Sequence, residues 1–225
     1  MSGTVLPEAL RSLGSALGVD LWLVALDDAG EIGDPAILSA SERARAERFL
    51  FERDQRRYIA AHLALRQLLS IRTGDASSRL HFEQDVYGKP RLRGGECAFS
   101  LSHSAHHALI ALGDTGDIGA DIEVVKTLPH AERLGEKLYT PTERAEIEFA
   151  EDATRAFLRC WTRKEACLKA VGRGLSIEPR TFEAGATAQE RTVSIPIDAT
   201  PTVVAVTSVQ SASDCVAAIA RTFPY

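Results

Sequence analysis

FLRCWTRKEACLKAVGRG, residues 157–174, decides how the chain is read. Phe157, Trp161, Leu168 and Val171 recur at intervals of three, four or seven, the spacing of one buried helical stripe. At about 100° per residue Lys164 falls inside that stripe, and Glu165 stands on its edge beside Trp161 and Lys169. Two charged side chains thus occupy ground that packing would give to apolar ones. A snorkelling lysine and an ordinary i, i+4 Glu165–Lys169 pair account for them one by one; a ligand cleft accounts for them together.

Outward from this helix the pattern is mixed. Upstream, TPTE (140–143) joins a Thr cap, Pro at the first helical position and Glu at the third, which predicts another helix. A helical region is expected from residue 41 onward, with Gly74 as its stop, and residues 7–17 read as a short helix after Pro7. Strands are predicted at 20–28, 80–85, 97–102, 107–113 and 117–125, then at 180–184, 191–197, 202–208 and 214–221. The order strand, helices, several strands therefore occurs twice, and aligning Asp20 with Asp117 superposes it at an offset of about 97 residues. The fold expected is α+β: two similar halves, 1–113 and 114–225, related by pseudo-twofold symmetry, each a small mainly antiparallel sheet on a long helix. The tight turn Gly113–Asp117 joins them, leaving a cleft as a natural ligand site.

Composition narrows the partners. With 225 residues, 45% hydrophobic and 25% charged, the chain can bury a sizeable core. A net charge of −5 argues against a general nucleic-acid or anionic-membrane binder, so any anionic ligand needs a local basic patch. Cys97, Cys160, Cys167 and Cys215 show no CxxC spacing and read as buried thiols. No stretch approaches the roughly 20 apolar residues of a membrane span. A cytoplasmic protein is the expectation.

In GADIE, Asp121 and Glu123 are two residues apart, so on a strand both carboxylates leave the same face. A solvated strand face explains them; so does a hard divalent cation such as Mg²⁺, given a third acid and a phosphate-bearing partner. Glu165 can supply that acid. SLSHSAHH (100–107) places Ser102 and His103 at a strand end, while zinc held by His103, His106 and His107 lacks a cysteine pair or HExxH frame in support. In YGKPRL, Pro90 keeps Lys89 in extended chain. Arginines crowd residues 43–57 among acidic neighbours, mostly as a solvated helical face.

Taken in order, YGKP, FSLSHS, GADIE and WTRKEACLKAVG resemble the phosphopantetheinyl transferases of the surfactin-synthetase-activating type. The pattern W-x-x-K-E-A-x-x-K-x-x-G is matched in full by Trp161, Lys164, Glu165, Ala166, Lys169 and Gly172, about 40 residues after the Asp-x-Glu pair. Ser100 and Ala120 depart from the family's usual Asn and larger β-branched residue. The resemblance implies transfer of the 4′-phosphopantetheine arm of coenzyme A to a serine of an apo acyl or peptidyl carrier protein, releasing adenosine 3′,5′-bisphosphate. It implies Mg²⁺ on Asp121, Glu123 and Glu165, with Glu165 as general base and Lys169 stabilising the transferred or departing phosphate. It places Lys89, Ser102, His103 and Lys164 on the nucleotide and phosphates, and Arg45 and Arg57 on the 3′-phosphate. A monomer would suffice, since one chain builds its own cleft. The alternative is a coenzyme A or nucleotide-binding module without catalysis.

Overall fold

A computed structural model describes residues 7–28, 32–95, 97–197 and 200–223. The N-terminal half contains strands β1 (Leu10–Ala16) and β2 (Val19–Ala25), helices α1 (Ala40–Ala46) and α2 (Glu52–Thr73), the short strands β3 (Phe82–Gln84) and β4 (Pro90–Leu92), then β5 (Ala98–Ser104) and β6 (His107–Gly113). The C-terminal half runs β7 (Ile118–Val124), α3 (Ala131–Leu138), α4 (Pro141–Glu148), α5 (Ala153–Val171), β8 (Arg191–Ile195), β9 (Thr202–Val209) and β10 (Cys215–Thr222).

The strands form two four-stranded antiparallel sheets and a β3–β4 hairpin. In the first sheet the order is β1-β2-β6-β5, in the second β7-β10-β9-β8. The series β2-β6-β5 and β7-β10-β9 each run first strand, last strand, middle strand, so the two halves share one plan. Alternation on the strands stacks the layers. Ala108, Ile110 and Leu112 of β6 pack with Leu65, Leu68 and Leu69 of α2, while Leu109 and Ala111 meet Ile118, Ala120 and Ile122 of β7 and Ala217 and Ile219 of β10. On the far side, Ala218 and Ala220 pack with Ala166, Leu168 and Ala170 of α5. The result is four layers, α2, sheet, sheet, α5.

Caps fix the helices as the sequence indicates. Thr140 and Glu143 form a reciprocal capping box on α4 behind Pro141. Gly74 and Gly172 end α2 and α5 in the left-handed conformation.

Three expectations are corrected. Residues 10–16 are a strand, because Gly14 takes φ +80° and the segment pairs along β2 from Leu10↔Val24 to Ala16↔Val19. Pairing along β2, with Leu10 turned into the core, outweighs the helical spacing of its leucines. Residues 180–184 form no strand: Pro179–Thr181 is a single 3₁₀ turn, and the backbone beyond it bonds to side chains instead of a ladder. The carbonyls of Pro179 and Phe182 accept from Lys164 Nζ, that of Ala184 accepts from Arg163 Nε, and the Ala184 and Gly185 N–H groups donate to Glu143. Finally, α5 is buried beyond one stripe. Thr162, Arg163 and Lys164 are fully buried, whereas Trp161 and Val171 are partly exposed.

Candidate active site

The site is built where β5, the edge of one sheet, runs beside β7, the edge of the other. Ser100, Ser102 and Ser104 alternate along β5 and all turn toward β7. Ser100 Oγ accepts from the Ala120 N–H at 2.9 Å, Ser102 Oγ donates to Asp121 Oδ1 at 2.8 Å, and Ser104 Oγ donates to Glu123 Oε2 at 2.7 Å while accepting from the Val124 N–H. Three hydroxyls thus stitch the halves along the acidic strand. This ladder is the part of the FSLSHS motif that sequence reasoning missed, although its period of two was visible.

From the other side α5 lies almost on the β7 backbone. A Cβ added at Gly119 would come within 2.1 Å of the Ala166 carbonyl oxygen and 2.4 Å of the Ala170 nitrogen. Glycine inside a strand marks such a close approach, a second signal left unused in GADIE. The approach places Lys169 Nζ 2.6 Å from Asp121 Oδ1, 2.9 Å from Ser102 Oγ and 3.2 Å from the Ala120 carbonyl oxygen.

Asp121, Glu123 and Glu165 face one another electrostatically across this junction. Burial, then the charge of Asp121, pushes the Glu165 carboxyl up; burial pushes Glu123 up, reinforced by Asp121 and opposed by the Ser104 bond. Asp121 Oδ2 and Glu165 Oε1 are buried side-chain oxygens without a hydrogen-bond partner. Buried, unpartnered carboxylate oxygens beside a third acid suit a hard cation such as Mg²⁺. The three carboxylates nonetheless stand apart: among the described residues the one group of three His, Cys, Asp or Glu whose ligand atoms lie within 4.8 Å of one another is His106, His107 and Asp214. Mutual repulsion opposes a closer approach of the acids.

Basic residues divide into those at the site and those elsewhere. His103 is near the charges of Lys169 and Arg45, and desolvation followed by these two cations lowers its pKa. Arg45 also reaches the Tyr58 ring, 5.9 Å from its centroid. Arg57 instead turns its fork to Asp27, with two bonds of 2.6 Å. Lys89 bonds Asp117 at 3.0 Å and the Ala170 carbonyl at 2.8 Å, tying the YGKP turn to the end of α5. Beside it a cavity of about 560 Å³, lined by Lys89, Arg91, Phe99, Asp117, Val171 and Phe223, opens without reaching the carboxylates.

Lys164 is the clear correction. Its Nζ is 2.8 Å from Glu143 Oε2, with both side chains fully buried, and it lies 4.5 Å from the Phe182 ring centroid. The ammonium therefore faces α4 and the 179–186 segment, away from Asp121. Glu143, which also caps α4, is the partner that spacing within one helix could not disclose.

Residues 117–220 match the profile described as the 4′-phosphopantetheinyl transferase superfamily, and residues 34–114 that of the N-terminal part of a 4′-phosphopantetheinyl transferase. The chain is 35% identical over 166 residues to the 4′-phosphopantetheinyl transferase HetI of Nostoc sp., covering 70% of each. It is 35% identical over 161 residues to a putative 4′-phosphopantetheinyl transferase of Synechocystis sp., covering 69% of this chain and 65% of that relative, just under two thirds of its length. With Sfp, a 4′-phosphopantetheinyl transferase of Bacillus subtilis, identity is 27% over 150 residues, 65% of this chain and 66% of the other. That likeness is shared with the wider superfamily and does not single out the surfactin-activating type.

Proposed function

The chain belongs to the 4′-phosphopantetheinyl transferase superfamily, and from that premise we propose that it transfers the phosphopantetheine arm of coenzyme A to a serine hydroxyl of an apo carrier protein. The observation that carries this reading is the junction of α5 with β7, where Lys169 bonds Asp121, Glu165 lies within reach of its charge, and two carboxylate oxygens are buried without partners. Simple binding of a nucleotide has no need of three acids beside one lysine.

In this reading the serine oxygen attacks the phosphorus that bears the pantetheine, the P–O bond to the nucleotide phosphate breaks, and adenosine 3′,5′-bisphosphate leaves. The serine proton passes to Glu165, directly or through a water. Lys169, held by Ser102 and Asp121, is aimed at the charge that develops on the phosphate oxygens. Arg45 and His103 meet the 3′-phosphate. Asp121, Glu123 and Glu165 would hold Mg²⁺, which supplies charge neutralisation at the pyrophosphate. Lys89 and Arg57 are paired here with Asp117 and Asp27, so in this scheme they reach the nucleotide phosphates only by exchanging those partners.

The deciding experiment incubates the protein with coenzyme A, Mg²⁺ and a panel of acyl and peptidyl apo-carriers, followed by intact mass. The expected result is one phosphopantetheine added at a carrier serine and equimolar adenosine 3′,5′-bisphosphate. Tight coenzyme A binding without transfer to any carrier would replace this reading with that of a binding module.

A further inference from the structure

Two hairpin turns, one from each half, meet at the end of the β5–β7 border, just beyond Glu123. The β5–β6 turn carries His106, with His107 opening β6 beside it, and the β9–β10 turn carries Asp214. His106 Nε2 stands 3.1 Å from Asp214 Oδ2, and His107 Nε2 stands 3.3 Å from Asp214 Oδ1. The imidazole centroids are 4.2 Å apart. We infer that His106, His107 and Asp214 form a binding site for a four-coordinate transition-metal ion such as Zn²⁺, which clasps the two halves together.

The donor set favours zinc over magnesium, because imidazole suits zinc and magnesium prefers oxygen alone. The spacing fits as well. Donors around a tetrahedral ion, each about 2.0–2.2 Å from it, stand roughly 3.3–3.6 Å apart. Here one ligand atom from each of the three residues lies within 4.8 Å of the others, and each imidazole stands on a different oxygen of Asp214, so a modest turn of the carboxylate and rings brings them onto one ion. His106 and Asp214 are 39% and 44% exposed at the side chain, which leaves solvent access for an ion and for water as a fourth ligand.

The donors are also held in place by backbone. The His106 carbonyl accepts from the Leu26 N–H at 2.8 Å, and His107 begins β6, between Ala25 and Ser104. The Asp214 carbonyl accepts from the Val125 N–H at 2.7 Å. Arg155 Nη2 donates to the carbonyls on both sides of Asp214, those of Ser213 and Cys215, at 2.9 Å each. Cys215 Sγ donates to Asp214 Oδ1 at 3.5 Å, an outer partner that orients the carboxylate. A site on braced turns binds with little loss of freedom.

The test titrates Zn²⁺ into the full chain with Mg²⁺ in excess, read by calorimetry and by the histidine imidazole resonances. One equivalent binds, shifting His106 and His107 but not His103, and raises the melting temperature. His106→Gln and Asp214→Asn each weaken this uptake by more than the roughly 10–100-fold expected for loss of an outer partner. Circular dichroism without zinc keeps both variants comparable with the parent, and carrier modification stays unchanged. Absence of uptake, uptake that leaves those two resonances unmoved, or uptake retained in both variants overturns the assignment. The outcomes that overturn the assignment are read from zinc uptake and the imidazole resonances, apart from the transfer reaction.

Discussion

Ser104 Oγ donates to Glu123 Oε2 across the border between the two halves, at 2.7 Å, and itself accepts from the Val124 N–H. A carboxylate on one half is thus oriented by a hydroxyl on the other. Ser104→Ala frees Glu123 to rotate, and we expect the apparent Mg²⁺ affinity to fall roughly 10–100-fold, as for other partners that orient a metal ligand. The KM for coenzyme A should hardly move. Ser104→Thr, which keeps the hydroxyl, should restore much of the affinity. Direct Mn²⁺ binding by electron paramagnetic resonance checks the effect apart from turnover; equal affinity in the Ala variant would show that Ser104 only joins the sheets.

Lys164 and Lys169 stand on the same helix with opposite assignments. Lys164 pairs with Glu143 in full burial, so Lys164→Met leaves a buried carboxylate without its cation and should cost about 3–5 kcal/mol of stability. Chemical denaturation measures this. Coenzyme A binding by the fraction that remains folded should be nearly unchanged. Were Lys164 a phosphate contact, the variant would instead bind coenzyme A poorly at undiminished stability.

The contrast shows what the sequence could carry. Helix α5 was legible because Gly172 ends it and apolar spacing marks one face; the fate of Lys164 was not, since its partners lie on α4 and on the carbonyls of Pro179 and Phe182. Asp121, Glu165 and Lys169 were legible as a group through their motif, and contacts between Lys169 and Asp121 join them in space. Arg57 and Lys89 illustrate the limit: an anion-seeking cation and one spent on Asp27 or Asp117 look alike along the chain. The strand Leu10–Ala16 was masked by leucines at helical spacing, and only its pairing with β2 distinguishes it.

Gly119 sets the distance between α5 and β7. In Gly119→Ala the added methyl meets main-chain atoms of Ala166 and Ala170, which cannot swing aside as a side chain can. The helix must lift, and overpacking of this kind costs about 1–3 kcal/mol. Displacing Glu165 and Lys169 from Asp121 by about 1 Å should lower kcat on the order of 10²-fold. Gly113→Ala is the control, since its methyl would find Val19 Cγ2 at 3.6 Å, an ordinary contact. Comparable losses in both variants would show that the close helix approach has no special role.

The raised carboxyl groups at the junction make a signed prediction for pH. Glu123 and Glu165 both have folded pKa values above the ordinary 4.5, chiefly through burial and then the charge of Asp121. In that range the folded state holds more protons than the unfolded one. Their contribution therefore turns unfavourable as pH rises from about 4.5 through their folded values, the reverse of a salt-bridged acid. Other acids, such as Glu42 and Asp117, are shifted down and contribute with the opposite sign, so the comparison must be with a variant. With chelator present, Glu165→Gln should gain stability relative to the parent as pH rises from 4.5 toward 7, and little below that range. Mg²⁺ should then stabilise the parent increasingly with pH, because it binds the ionised carboxylates, and stabilise the variant less. Melting curves at several pH values, with and without Mg²⁺, supply the measurement; parallel stability profiles for the two proteins would remove Glu165 from the buried acidic group.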